Sequence, residues 1–296
     1  SPSTPRPRLR ENGAPRRWPP ARCETSIMNV PDSAFLDEFV GVWDDGAKRD
    51  PAFITTGVMA ILPDYYGDIA AIPPPFPVTP GERVLDLGCG WGRMLNNVCA
   101  LGANAVGMDI SSDMLAAARG YINTNKRNAS FVRGDGTRLP FADNSFDTVY
   151  SLLVLQHLSK ENGRAVFREI HRVLKPGGHA HVWVPGRFAP ENLLFAFLQF
   201  VSIHLFRHKD PIRMRFYRIG EARRMCAGLF SSFDATGHEF RPPWNLHTKW
   251  TWHKILIPRR FHKGLRRISD RIENAANSRF RFLRRFGVVT IVRVVK

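Results

Sequence analysis

Val84-Leu85-Asp86-Leu87-Gly88-Cys89-Gly90-Trp91-Gly92-Arg93 is an apolar run with one acid that leads into three alternating glycines. Three apolar residues around one acid predict a buried parallel strand. The Gly-x-Gly-x-Gly that follows predicts a tight loop, and Arg93 to Leu101 a helix. A strand-to-helix turn of this kind needs positive φ, and a ligand lying on the backbone needs residues without a Cβ. A glycine triplet alone decides little, so the weight falls on what comes next. Ala105-Val106-Gly107-Met108-Asp109 reads as a second short strand ending in an acid. An acid at that strand tip is placed to bind both hydroxyls of a ribose. A third acid, Asp135 in Gly134-Asp135-Gly136, follows a strand predicted over Ala129 to Arg133.

Working outward, strand and helix patterns alternate from Gly81 onward, which predicts a parallel sheet with helices on both faces. Strands are expected near 83–87, 105–109, 129–133, 146–153 and 179–184, and helices near 93–101, 112–123 and 161–174. A helix from Gly220 to Gly228 and strands from Phe233 to Phe240 and Val288 to Val295 complete the pattern. The last strand is nearly all apolar, as a strand buried on both faces would be.

The ordered set Asp86, Gly88-Cys89-Gly90-Trp91-Gly92, Asp109 and Asp135 resembles the cofactor signature of class I S-adenosylmethionine-dependent methyltransferases. The resemblance is to the ubiquinone/menaquinone-type, type 11 small-molecule group. Phe141-Ala142-Asp143-Asn144-Ser145-Phe146-Asp147 and Leu174-Lys175-Pro176-Gly177-Gly178 are similar to two further motifs of that family. The likeness covers roughly Gly81 to Pro185. A dinucleotide-binding dehydrogenase expects its third glycine three residues beyond the second. Here Gly92 comes two after Gly90, and the Leu-Lys-Pro-Gly-Gly turn has no role there.

The resemblance implies a Rossmann-like α/β fold with a seven-stranded, mostly parallel sheet. Its last strand would insert antiparallel between the fifth and sixth. It implies S-adenosyl-L-methionine as cofactor, bound by Asp86, Gly88, Gly90, Gly92, Asp109, Ile110, Asp135 and Gly136. In that scheme the backbone at Gly88 and Gly90 holds the methionine part, and Asp86 orders its amino group. Asp109 takes the ribose hydroxyls, and Asp135 accepts from the adenine amino group. The candidate base is His157, just past the fourth strand at the carboxyl end of the sheet, where open α/β sheets place their sites. A His there resembles the catalytic His of phosphoethanolamine methyltransferases. A helix-start histidine bonded to backbone is the plainer reading. Gln156 is a candidate to orient substrate or backbone. His179 and His181 share a strand face, but two ligands are too few for a metal site, and none is assigned.

The 296 residues suit one elaborated domain, and with 44% hydrophobic residues there is material for a core. Cys23, Cys89, Cys99 and Cys226 show neither metal nor disulfide spacing, which fits a reducing compartment. No apolar run reaches the ~18 residues of a spanning helix. The net charge of +17 is uneven: residues 1–206 hold 21 Lys/Arg against 20 Asp/Glu, and residues 207–296 hold 22 against 6. Something anionic is expected to meet that basic third, although a solvated face is the commoner meaning of a charge run.

Residues 1–31 are rich in Pro, Arg and Ser and are expected to be disordered and basic. They have no apolar segment of a secretory signal. Met28 is one candidate for the natural start, and whether residues 1–27 are native stays open. Residues 32–80 are expected to form a helical lid carrying Tyr65 and Tyr66, then a stiff Pro73 to Pro77 linker. The catalytic domain is expected over 81–296, with an apolar insert at 186–216 and a basic insert at 241–286. In the first, Asn192 to Phe206 is almost continuously apolar. In the second, Phe261, Leu265, Ile268 and Ile272 form a helical stripe among arginines, preceded by Trp244, Trp250 and Trp252. Such a helix reads as interfacial, though one packed on its own domain shows the same stripe.

The leading expectation is a cytoplasmic, peripheral-membrane methyltransferase acting on a small-molecule or lipid-linked acceptor, with O-methylation favoured. An anionic membrane surface is the expected partner. The alternative is an RNA (tRNA) methyltransferase that uses the basic third to bind phosphates, with Trp250 and Trp252 as stacking residues. A non-catalytic binding protein of the same fold is a third reading, opposed by the intact glycine loop and the three acids.

Overall fold

A computed structural model describes residues 78–190, 215–238 and 274–296, together with 192–193, 196–197, 267–268 and 271–272. The order is β1 (Arg83–Leu87), α1 (Arg93–Ala100), β2 (Asn104–Asp109), α2 (Ser112–Thr124), β3 (Ser130–Arg133) and β4 (Phe146–Leu152). A 3₁₀ turn at Leu155–His157 leads to α3 (Lys160–Val173) and β5 (Leu174–Pro185). Then come α4 (Ile219–Cys226), β6 (Ser232–His238), a 3₁₀ turn at Arg281–Phe286 and β7 (Val289–Val295). The strands form one seven-stranded sheet in the order β3-β2-β1-β4-β5-β7-β6. β1 to β5 pair in parallel, and β7 runs antiparallel to both β5 and β6. This is the expected Rossmann-like methyltransferase topology.

Alternation along the strands divides the core in two, because successive side chains point to opposite faces. Leu85, Leu87, Val106, Met108, Val149, Val182, Val292 and Val294 meet Val166, Phe167 and Ile170 of α3 and Ala222, Met225 and Cys226 of α4. Val84, Ala105, Tyr150, Trp183 and Ile291 meet Met94, Leu95 and Val98 of α1 and Ile122 of α2. Helices therefore cover both faces. Ser111 caps α2 by accepting from Met114 N, and Ser159 caps α3 by accepting from Asn162 N, both at 3.1 Å. These hydroxyls satisfy amides that have no partner within the helix.

The register also lines up Asp86, Tyr150, His181, Arg293 and Asp234 in one row across five strands. Residues paired in this way face the same side of a sheet. Burial holds the His181 imidazole down to about 2 and raises the Tyr150 hydroxyl above its ordinary value. Desolvation disfavours the charged form of each.

Most boundaries fall within one or two residues of the sequence reading, and the largest difference is at β5. β5 begins at Leu174, so the Leu-Lys-Pro-Gly-Gly motif lies inside the strand. Leu174 already pairs with Phe146, and the register then shifts before His179 pairs with Thr148. Gly177, at φ 76°, supplies the left-handed residue of this irregularity, and its amide is bonded to Lys296 O. The two downstream motifs turn out to brace each other. Asp147 accepts from Lys175 Nζ at 2.6 Å and from Arg83 N at 2.9 Å, while Arg172 spans Asp143, Glu169 and the carbonyls of Leu139 and Phe141.

The expected disordered start, the helical lid with its tyrosines, and the proline linker lie outside the described residues. So do most of the apolar stretch 192–206, the three tryptophans, and Phe261 and Leu265 of the basic stripe. No helix among the described residues is long and apolar enough to cross a membrane.

Candidate active site

The glycine loop is held by β2, not by its own turn alone. Gly88 N and Cys89 N both donate to Met108 O, at 2.7 and 2.9 Å. Gly90 N donates to Asp109 Oδ2 at 2.8 Å, and Ser111 N to Asp109 Oδ1 at 3.0 Å. Asp109 thus ties the loop to the start of α2. Gly88, Gly90 and Gly92 have φ of 71°, 51° and 90°. A Cβ on Gly88 would collide with Val154, whereas a Cβ on Gly90 would meet nothing within 4 Å among the described residues. Gly90 therefore leaves its backbone uncovered by any described side chain, and Gly92 starts α1. The unpaired amides at a helix start favour a negative group.

Asp86 lies almost fully buried beside this loop. Its carboxyl is pushed up to about 7, first by burial and then by the charge of Asp109, against a backbone bond from Leu95 and the charge of Arg93. Asp86 Oδ2 has no hydrogen-bond partner among the described residues. A buried, unsatisfied carboxylate oxygen is costly unless a cation or donor meets it. The open face of Gly90 and this acceptor together fit a ligand that lies on the loop and carries a cationic amino group.

The third acid stands on the same edge. Gly134 N donates to Asp109 O at 3.0 Å, which sets the end of β3 beside the end of β2. Asp135 accepts from Thr137 N at 2.9 Å and from Thr137 Oγ1 at 2.6 Å, closing its own turn. Ile110 stands between, its carbonyl accepting from Arg133 Nε at 3.0 Å. A Cβ on Gly136 would contact Leu87 and Val166, so the turn after Asp135 is packed on the core.

His157 ends the 3₁₀ turn that follows β4. Val154, at the start of that turn, lies against Gly88, so the turn and the glycine loop share one edge of the sheet. Gln156 Nε2 is 2.9 Å from His157 Nε2. With the amide nitrogen as donor, Nε2 is the acceptor and the ring proton sits on Nδ1. Burial lowers the imidazole to about 4, so it is neutral at pH 7. His179 bonds Thr148 Oγ1 at 3.1 Å, and His181 stacks on Tyr150 at 5.2 Å. No group of three or more His, Cys, Asp or Glu suited to a metal occurs among the described residues.

Three contributors were not singled out from the sequence. A Cβ on Gly107 would meet Leu95 at 2.8 Å and Cys89 Sγ at 3.1 Å, so this strand glycine lets the loop and α1 settle onto β2. A glycine inside a strand is the available signal for such an approach. Tyr217 donates its hydroxyl to Leu155 O at 2.6 Å, and Arg215 N donates to Gln156 O at 2.9 Å, so residues 215–217 staple the His157 turn. Asn192 ties Gly186 O to Val288 O. These contacts join residues far apart in the chain, and nothing local announces them.

The family described as a methyltransferase domain matches residues 84–178. Demethylmenaquinone methyltransferase of Corynebacterium kroppenstedtii is 43% identical over 103 residues, 35% of this chain and 42% of that protein. Sterol 24-C-methyltransferase erg6 of Schizosaccharomyces pombe is 39% identical over 105 residues, 34% of this chain and 27% of that protein. The chain spans less than half the length of these curated relatives. Among solved structures, phosphoethanolamine N-methyltransferase 2 of Haemonchus contortus, in complex with phosphomonomethylethanolamine and S-adenosylhomocysteine, matches at 19% identity. It has a TM-score of 0.56 and covers 86% of this chain and 60% of that one. At that identity the likeness is one of fold. The glycine loop, its acids and the sheet order agree with that match, so residues 84–178 are similar in sequence and in fold to methyltransferase domains.

Proposed function

We propose that the chain transfers a methyl group from S-adenosylmethionine to a hydroxyl of a lipophilic small-molecule or lipid-linked acceptor, working peripherally at the cytoplasmic face of a membrane. The observation that carries this reading is the junction of Gly88 with Val154, which brings the cofactor loop beside the His157 turn. Bound S-adenosylmethionine supplies a methyl group already activated by positive sulfur. The chain has to position the acceptor and, for a hydroxyl, remove its proton. Gly88, Gly90 and Gly92 offer backbone to the methionine part, Asp86 Oδ2 meets the amino group, Asp109 takes the ribose hydroxyls, and Ile110, Asp135 and Gly136 frame the adenine. His157, neutral and held by Gln156, takes the proton. Gln156 Oε1 has no hydrogen-bond partner among the described residues. With that amide turned by half a turn, Oε1 accepts from Nε2–H, Nδ1 is the nitrogen that takes the acceptor's proton, and Oε1 stabilises the imidazolium as it forms.

The sterol and quinone relatives support a lipophilic acceptor. Two residues of the basic stripe support the surface reading: Ile268 and Ile272 are helical and 50% and 40% exposed. Apolar positions that packed on their own domain would be covered. The charge of residues 207–296 suits an anionic surface and is equally the argument for the RNA alternative.

Asp86 gives the cofactor reading a pH signature. With its carboxyl near 7, Asp86 is mostly protonated at pH 6 in the free protein. A cationic amino group favours the carboxylate, so binding expels a proton. Affinity for S-adenosylmethionine is then expected to rise by up to about tenfold per pH unit below 7 and to level off above it. Calorimetry at pH 6 in buffers of different ionisation enthalpy should register close to one proton released. Flat affinity from pH 5.5 to 8 with no proton release would remove Asp86 from the site.

A further inference from the structure

The 3₁₀ turn Arg281–Phe286 joins the basic segment to β7 and presents three aromatic rings to solvent. Phe280, Phe282 and Phe286 are 44%, 59% and 39% exposed, and none belongs to either core. Exposed phenylalanines clustered in this way are uncommon on a soluble surface and mark a contact. Arginines stand among them. The Arg279 guanidinium lies 5.5 Å from the Phe280 ring, and that of Arg285 lies 6.0 and 5.4 Å from the rings of Phe282 and Phe286. Residues 274–296 contain no acid.

This turn is fastened from behind. Arg284, only 11% exposed, bonds Asp234 Oδ1 at 3.1 Å, Ala235 O at 2.9 Å and Asn277 O at 2.8 Å. Asn277 Nδ2 donates to Gly237 O at 2.7 Å. One arginine thus spends its donors inward on β6 and on the chain leading into the turn. The aromatic rings beside it are held outward by a braced backbone.

We propose that Phe280, Phe282 and Phe286 form a wedge that enters the headgroup layer of an anionic bilayer, with Arg279, Arg281 and Arg285 meeting the lipid phosphates. This deepens the surface reading above and rests on it. Charge decides the occupant: Arg279 and Arg285 face outward, and Arg281, 69% exposed, pairs loosely with Asp234 at 3.7 Å, so the arginines outnumber that carboxylate and the patch is complementary to an anionic surface. The apolar content separates a bilayer from RNA, because phosphate binding needs the arginines but gains little from phenylalanine edges. Rings that sit at the interface lose water along with the arginines' alkyl stems.

The test uses the full chain and vesicles of phosphatidylcholine with or without phosphatidylglycerol, at low and high salt. Wild type should sediment with the anionic vesicles at low salt, and not with neutral ones. Replacing all three rings, Phe280→Ser, Phe282→Ser and Phe286→Ser, should weaken partitioning at least about tenfold while leaving every arginine in place. Arg279→Gln with Arg285→Gln should weaken it about fivefold per arginine and flatten the salt dependence. S-adenosylmethionine affinity should be unchanged in both, which shows that the fold has survived. If wild type binds vesicles and the triple serine variant binds equally well, the wedge is wrong while the surface reading stands. If wild type ignores anionic vesicles and binds tRNA tightly, both fall.

Discussion

Gly90→Val is expected to lower affinity for S-adenosylmethionine by at least about 100-fold with the fold retained. Among the described residues no atom lies within 4 Å of a Cβ built at this position. The valine side chain would occupy the face that the loop offers to the ligand. The φ of 51° adds strain for a β-branched residue, roughly 1–2 kcal/mol, and pulls the Gly90 amide away from Asp109. Asp109→Ala should act comparably by another route. It removes the ribose acceptors, worth roughly 10- to 150-fold for hydrogen bonds to a charged group, and frees both Gly90 N and Ser111 N. Asp109→Asn keeps one oxygen acceptor and should lie between wild type and alanine. Calorimetry gives the affinities, and thermal melting of the cofactor-free proteins shows whether folding was spared. Wild-type affinity in both Gly90→Val and Asp109→Ala would place the cofactor elsewhere.

The second large effect concerns His157. His157→Ala should lower kcat by about 10²- to 10⁴-fold while leaving cofactor affinity nearly unchanged. Its pH dependence is distinctive. Burial puts the imidazole at about 4, so it can accept a proton throughout the neutral range and fails only below that value. With S-adenosylmethionine saturating, so that Asp86 is already ionised, the acid limb of kcat/KM for the acceptor in the wild type should therefore fall near pH 4, well below the 6.5 of an exposed histidine. The alanine variant should lose that limb. Near-normal turnover of the variant from pH 6 to 9 would move the base to another residue or show that none is needed. The same shift bears on stability. A histidine kept neutral in the fold but free to charge when unfolded stabilises the native state above pH 6.5. That contribution is lost as pH falls toward 4.

Much of this was legible in the chain because the strands announce themselves. The run Val84 to Leu87 and the nearly all-apolar Val288 to Val295 can be buried only as central strands, and the glycines fix where the first turns. The insertion of β7 between β5 and β6 was legible through the family resemblance, not through the residues. Pro176-Gly177-Gly178 reads as a turn, and the structure shows a strand irregularity there, because Leu174 finds its partner Phe146 before the proline. The proposed site residues read in the sequence as an ordered list. Their chemistry was less so: the raised carboxyl of Asp86 follows from burial and from Asp109 across the sheet, and the lowered imidazole of His157 follows from burial alone. Neither cause is written in local sequence. The support from Tyr217 to Leu155 spans 62 positions and has no local trace.

The most direct measurement is methyl transfer itself. Wild type and Gly90→Val would be incubated with S-adenosylmethionine tritiated in its methyl group and with membrane lipid, small-metabolite and RNA fractions of the source cells. Label is expected in an organic-extractable small molecule or lipid with wild type, and none with Gly90→Val. Label confined to RNA, or equal labelling by both proteins, would contradict it.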